Sequence, residues 1–224
     1  MPKKSIKVII TGATGMVGEG VMHVCLQNPN IDTVLVINRK PCGVAHPKLK
    51  EVIHADFFDL TAIENELIGY DTCFFCLGVS SVGMSADDYY KFTYTLTLNF
   101  AKSLVKTNDG MTFSYVSGAG TDSTEKGMSR WARVKGKTEN DLMALPFKSV
   151  YAFRPAFIKP IEGMQRTHAF YKYINWLFPL GRAIYRKGFC TLNELANAMI
   201  FLALSNQKTC VVEGDEIIKL GTLI

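Results

Sequence analysis

The sequence predicts an α/β domain built on one doubly wound, mostly parallel sheet with a small aromatic-rich cap. Three observations predict it. Short apolar runs alternate with longer amphipathic segments along most of the chain. The runs are nearly continuous in Val, Ile and Phe, as strands covered on both faces are. A glycine-rich turn follows the first run and opens the first helical segment, close to the N-terminus.

Taken in order, the expected strands are Ile6–Thr11, Thr33–Asn38, Glu51–Ala55, Thr72–Gly78, Thr112–Ser117 and Ser149–Arg154. Helices are expected at Met16–Gln27, Leu60–Ile68, Ala86–Lys106, Ser129–Leu142 and Asn193–Leu204, with Glu216–Leu220 as a last strand. Alternating β and α elements imply a parallel sheet with right-handed crossovers. There is no internal repeat and no low-complexity linker, so the 224 residues read as one domain, 1–224. After Pro155 the alternation stops and Phe, Tyr, Trp and Pro accumulate up to Cys190. Residues 156–190 are expected to form a small cap or substrate segment within the domain. Its aromatic stretch, His168 to Gly188, reads as a helix closing over a pocket, in preference to a helix lying on a membrane surface.

Composition narrows the function. The chain is 48% hydrophobic and 20% charged, with a formal net charge of +5. Its lysines and arginines are scattered, so no nucleic-acid face is indicated, and an anionic ligand accounts for the mild positive excess. No stretch is apolar for long enough to span a bilayer, so no stable membrane insertion is expected. Six cysteines and no signal-peptide pattern suggest free thiols in a cytoplasmic protein. Cys73 and Cys76 form a C-x-x-C, but positions i and i+3 of a strand face opposite sides, so the two thiols should diverge. His168 lacks a metal-ligand partner at a credible spacing, and no metal is assigned. The sequence leaves a homodimer open.

The turn TGATGMVGEG places Gly12, Gly15 and Gly18 between a strand and a helix. Glycines so spaced tighten the turn, let the backbone approach a pyrophosphate and seat the helix on the sheet. The free N–H groups and dipole of the helix start attract the anion. The candidate contacts are Gly12, Thr14, Gly15, Met16, Val17 and Gly18. At the end of the second strand, where an NAD-preferring protein places Asp or Glu for the ribose 2′-hydroxyl, the chain has Asn38, Arg39 and Lys40. Asn38 repels no phosphate and Arg39 offers it a planar fork, which favours NADP(H). Asp56 and Phe57 are expected beside the adenine, and Asp59 as a cap of the next helix.

The motifs TGATGMVG, NRK, ADFFD, CLG, YVSGAG, VKGKTE and FRPAF, in that order, resemble the short-chain dehydrogenase/reductase superfamily. Within it the chain is similar to the small atypical members, the NAD(P)H-binding proteins akin to the Tat-interacting-protein and NmrA-like groups. The resemblance implies a Rossmann fold with the cofactor across the carboxyl ends of the strands. It implies that Cys76, Leu77 and Gly78 line the cofactor, that Ser117 is the active-site serine and that Lys135 binds the nicotinamide ribose hydroxyls. It also implies that Arg154, Pro155, Ala156 and Phe157 flank the carboxamide.

The chain departs from that pattern at two positions, one of them Gly118, which follows Ser117 where many relatives have a second serine. The family's catalytic signature is Tyr-x-x-x-Lys, and none of the nine tyrosines is followed by lysine at that spacing. Trp131 stands there instead, four residues before Lys135. Indole has a donor N–H and no usable proton, so Trp131 can form a substrate wall and cannot be a general acid. Tyr89, Tyr90 and Tyr115 are candidates for a displaced acid. Two functions fit. One is an NADP(H)-dependent oxidoreductase acting on a small conjugated or carbonyl substrate that takes its proton from water, or a nucleoside-diphosphate-sugar epimerase-like enzyme. The other is a non-catalytic NADPH-binding regulatory or scaffold protein.

Overall fold

The computed structural model describes residues 5–164, 178–205 and 207–224. Seven parallel strands form the sheet: β1 (Ile6–Thr11), β2 (Ile31–Asn38), β3 (Leu49–Ile53), β4 (Thr72–Phe75), β5 (Thr112–Val116), β6 (Ser149–Arg154) and β9 (Cys210–Glu213). Their spatial order is β3-β2-β1-β4-β5-β6-β9. The chain winds outward one way from β1 and the other way from β4, and a crevice opens at the carboxyl ends where the direction reverses. A separate parallel pair joins β7 (Phe157–Lys159) to β8 (Phe189–Thr191).

Alternation along each strand feeds two apolar layers. Val8 and Ile10 of β1 join Val34 and Val36 of β2 on one face, under α1 (Met16–Gln27). Ile9, Leu35 and Ile37 point to the other face. That second face is covered by a 3₁₀ helix, Thr61–Leu67, and by two long helices. The first, α2, runs Ala86–Tyr90, passes through one π-helical turn at Lys91–Thr95 and continues as Leu96–Thr107. Ser85 caps it by accepting the Asp88 N–H. The second is α3 (Arg130–Met143).

The short helix α4 (Phe178–Ile184) precedes β8. Two further helices, α5 (Leu192–Leu204) and α6 (Gly214–Gly221), complete the first face. Thr191 and Glu194 form a reciprocal capping box at the start of α5. Cys73 packs in the second layer and Cys76 against the first, so the thiols diverge as the strand period requires.

Among the element boundaries that differ from expectation, three bear on the sheet or the crevice. Glu216–Leu220 lies inside α6, and the last strand is Cys210–Glu213; Ile217, Ile218 and Leu220 are a helical stripe on the core. The strand expected over Thr72–Gly78 stops at Phe75, which frees Cys76–Gly78 as a loop on the crevice. The third strand is set two residues earlier, at Leu49–Ile53, by its pairing with Val34–Asn38. Asp59 does receive the Thr61 N–H, at 2.9 Å, ahead of the 3₁₀ helix. Of the aromatic stretch His168–Gly188, residues 168–177 lie outside the described residues.

Phe75 anchors the second layer. It is fully buried, meets Phe100 edge-on at 5.3 Å and stacks on Phe113 at 5.8 Å. Phe75→Ala should therefore cost about 3–5 kcal/mol of unfolding free energy, read as a lower urea midpoint at an unchanged slope. A loss under about 1 kcal/mol would mean that the ring cluster closes over the gap.

Candidate active site

Two chambers meet at Gly78 along the crevice. The first, about 580 Å³, is lined by the helix start Gly15–Val17, Cys76, the strand end Val116–Ala119, Trp131, Lys135, Pro155, Ala156 and Ile158. The second, about 440 Å³, lies beyond β2 and is lined by Arg39, Asp56, Phe57, Leu77 and Gly78, with Phe58, Met84 and Phe92 behind them.

The glycine turn is built by close approach. Gly12 has φ +73°, and a Cβ there would stand 2.8 Å from the Cys76 carbonyl oxygen. A Cβ on Gly18 would stand 2.2 Å from the Gly12 oxygen. No side chain fits either place, and the first turn of α1 seats against the loop. The first intrahelical bond of α1 is Glu19 N–H to Gly15 oxygen at 2.9 Å. The N–H groups of Met16, Val17 and Gly18 therefore have no acceptor within the helix. Three donors and the positive end of the helix beside a lined chamber suit a pyrophosphate. Thr14 is exposed at the tip of the turn.

At the second chamber Arg39 lines the wall, and Lys40 is exposed beside it. Asn38 is buried. Its amide donates to Glu51 Oε1 at 2.8 Å, and the same oxygen accepts the Cys42 N–H at 2.8 Å. Asn38 Oδ1 is buried with no partner among the described residues. The nearby carboxylate is thus tied to the β2–β3 loop.

The other end of the crevice is organised by α3. Trp131 and Lys135, one turn apart, both face the first chamber. The Lys135 ammonium donates to the Ser117 carbonyl oxygen. Burial pulls its pKa down from the ordinary lysine range, and the Glu139 carboxylate one turn further on opposes this. Glu139 is itself fully buried. Its Oε1 accepts the Ser117 hydroxyl at 2.5 Å and Arg154 Nε at 3.1 Å, and its Oε2 accepts Arg154 Nη2 at 2.5 Å. Arg154 also donates to Glu213 Oε1 at 3.1 Å and to the Ser123 hydroxyl.

This geometry corrects three expectations. The Ser117 hydroxyl points to the Glu139 carboxylate beneath the floor, with the Phe153 carbonyl at 3.1 Å as its other acceptor, so its proton is not presented to the cleft. The Arg154 side chain does not line the first chamber, and its guanidinium is committed to two carboxylates and a hydroxyl. Phe157 turns its ring to Phe189 at 5.4 Å and Phe178 at 6.1 Å, while Pro155 and Ala156 remain on the cleft wall. Glu139, Glu213 and Ser123 were not anticipated as parts of the site. The spacing of Glu139, one turn after Lys135, was the sequence feature that could have found it.

The candidate displaced acids lie elsewhere. Tyr115 is buried, and burial pushes its phenol well above its ordinary range. Tyr89 is buried and likewise raised by burial. Tyr90 packs on Tyr94, with ring centroids 4.7 Å apart. None of the three lines either chamber. Tyr171 and Tyr173 fall outside the described residues.

Comparison with known proteins agrees with this architecture. The family model described as the NAD dependent epimerase/dehydratase family matches residues 8–127. The protein named FMP52, mitochondrial, of Debaryomyces hansenii is 29% identical over 156 residues, covering 67% of this chain and 66% of that protein. Its namesake in Meyerozyma guilliermondii is 24% identical over 231 residues, covering 96% and 94%. A short chain dehydrogenase family protein from Francisella tularensis superposes with a TM-score of 0.66 at 16% identity, covering 95% of this chain and 98% of that one.

The names of these yeast relatives overturn the expectation of a cytoplasmic protein. Free thiols mark a reducing environment and do not select one compartment. Among the described residues no helix is long and apolar enough to cross a membrane. With its glycine turn, its sheet order and its family match in agreement, the chain belongs to the NAD dependent epimerase/dehydratase family, on a Rossmann fold.

Proposed function

We propose that the chain is an NADP(H)-binding oxidoreductase of the atypical short-chain type, acting on a small conjugated or carbonyl substrate without a tyrosine acid. One observation carries the reading. The first chamber joins a pyrophosphate cradle to Lys135, yet the position of the family's tyrosine holds Trp131. Besides Lys135, the titratable group lining that chamber among the described residues is Cys76, whose thiol burial pushes up to about 12.

A bound nicotinamide supplies hydride, and the chain's own residues supply the rest. The helix-start N–H groups of Met16 and Val17 would hold the pyrophosphate, Arg39 the ribose phosphate and Lys135 the nicotinamide ribose. Trp131, Pro155, Ala156 and Ile158 form apolar walls that exclude water from one side. Among the described residues no phenol stands on those walls, so a substrate that collects its proton from solvent suits the cleft better than a simple ketone.

Removing Arg39 tests the cofactor choice. Arg39→Ala should weaken NADPH binding by about 1.5–3 kcal/mol, the range for a hydrogen bond to a charged group, and leave NADH binding nearly unchanged. Calorimetry with both cofactors measures it. Equal wild-type affinities for the two would remove the preference for NADP(H).

Turnover tests the enzyme reading. NADPH oxidation should proceed with a quinone or a dye and be negligible with simple aldehydes and ketones. Lys135→Ala should weaken cofactor binding or stop that turnover. Tight NADPH binding with no turnover on any acceptor would support instead a cofactor-binding protein without catalysis. Brisk carbonyl reduction abolished by one Tyr→Phe change would mean that a tyrosine elsewhere is the acid.

A further inference from the structure

The floor of the first chamber holds charges that cofactor binding does not use. Glu139 is fully buried, and the Arg154 side chain is 11% exposed. A carboxylate so placed is costly unless its partners are held in place. They are held by four elements. Arg154 comes from the end of β6, Ser117 from the end of β5, Glu213 from the end of β9 and Glu139 from α3. Helix α3 reaches this depth because position 136 is glycine: a Cβ there would stand 1.8 Å from the Asp122 carbonyl oxygen.

The chain of contacts then runs upward. Glu139 accepts the Ser117 hydroxyl, and the carbonyl of the same serine accepts the Lys135 ammonium. Residues 135 and 139 are one helical turn apart on one face of α3.

Building on the reading of this crevice as a cofactor site, we propose that Glu139 is its positioning residue: a buried carboxylate that turns the Ser117 hydroxyl away from the cleft and supplies the counter-charge for the Lys135 ammonium. The groups with charge or a titratable proton around it are Arg154 from β6, Tyr115 from β5, Lys135 from its own helix and Glu213 from β9, reached through Arg154. Cys76 lines the same chamber as Lys135 and stays a neutral thiol. Of these, Glu139 is the group whose charge favours the ammonium against the burial that disfavours it.

The sign of the consequence follows. Lys135 is charged below its pKa and neutral above it. Take Glu139's charge away, and burial acts unopposed, so the ammonium is lost at a lower pH. Cofactor binding that depends on that ammonium should weaken at a lower pH too.

The direct test needs no cofactor. Acylation of Lys135 by acetic anhydride, followed across pH by peptide mass spectrometry on the whole chain, reports when the amine becomes neutral. In Glu139→Gln the midpoint should shift to lower pH. Because loss of the buried carboxylate leaves Arg154 only its outer partners and can unfold that variant, a second one, Glu139→Leu with Arg154→Met, removes both charges together, which a buried pair tolerates better. It should show a downward shift as well, smaller because a cation leaves with the carboxylate. Ser117→Ala keeps the carboxylate and should keep the wild-type midpoint. NADPH affinity across pH should follow the amine in each case. The proposal is overturned if a folded carboxylate-free variant titrates like the wild type, or if Ser117→Ala moves the midpoint as far as Glu139→Gln. If wild-type protein binds no NADPH, the cofactor reading fails while the acylation result still decides the role of Glu139.

Discussion

A carboxylate with no solvent contact, held by one guanidinium, fixes the working end of this molecule. The Glu139–Arg154 pair ties α3 to the carboxyl ends of β5, β6 and β9, the edge of the sheet on which the crevice opens. Pairs of this kind contribute little net stability compared with apolar packing, yet removing one partner strands the other in a dry interior. The constraint is therefore one of geometry. Any backbone movement that separated α3 from β6 would expose or isolate a charge, so the helix bearing Trp131 and Lys135 has one place to sit. The close contact of Gly136 with Asp122 fixes the depth of that place.

The opposite end of the crevice is set by different physics. There the chain uses the absence of side chains at Gly12 and Gly18, whose missing Cβ atoms let loop, helix and β4 close up. The result is a donor-rich helix start facing a chamber, which is an anion site by construction. One half of the crevice is thus shaped by steric closeness, and the other by electrostatic satisfaction. Both halves depend on the reversal of strand order between β1 and β4, because that reversal parts the crossover connections and leaves the strand ends uncovered.

Much of this was legible in the sequence because it is local. The strands Ile6–Thr11 and Ser149–Arg154 and the helix Met16–Gln27 coincide with the sequence expectation, since a continuous apolar run and a glycine turn need no tertiary context. The divergence of Cys73 and Cys76 followed from strand period alone. What escaped was either short or non-local. Strand β9 has four residues, and its pairing with β6 defines it, while the stripe of Ile217, Ile218 and Leu220 beside it looks strand-like until the helix period is applied. The π-helical turn at Lys91–Thr95 leaves no trace in an otherwise periodic segment. Arg154 was misassigned because its partner, Glu139, reaches it across the packing of α3 on β6, which no spacing rule encodes. The second acceptor, Glu213, lies on the strand that was itself misplaced.

Trp131 shows why local legibility and chemical role must be argued separately. Its place on the first chamber is fixed by helix period relative to Lys135, and the structure puts both side chains on that wall. Its chemistry is fixed by the indole, which can donate one hydrogen bond but releases no proton near neutral pH. Tyr115, two residues before Ser117, does not replace it, because that phenol is sealed in the sheet and held neutral by burial. Nor does Ser117, whose proton is already given to Glu139 or to a backbone carbonyl. The same buried carboxylate therefore has two effects on the cleft. It withdraws a hydroxyl from the chamber and favours an ammonium in it. Among the described residues the first chamber is lined by a cation, a neutral thiol and apolar side chains, with no phenol on its walls.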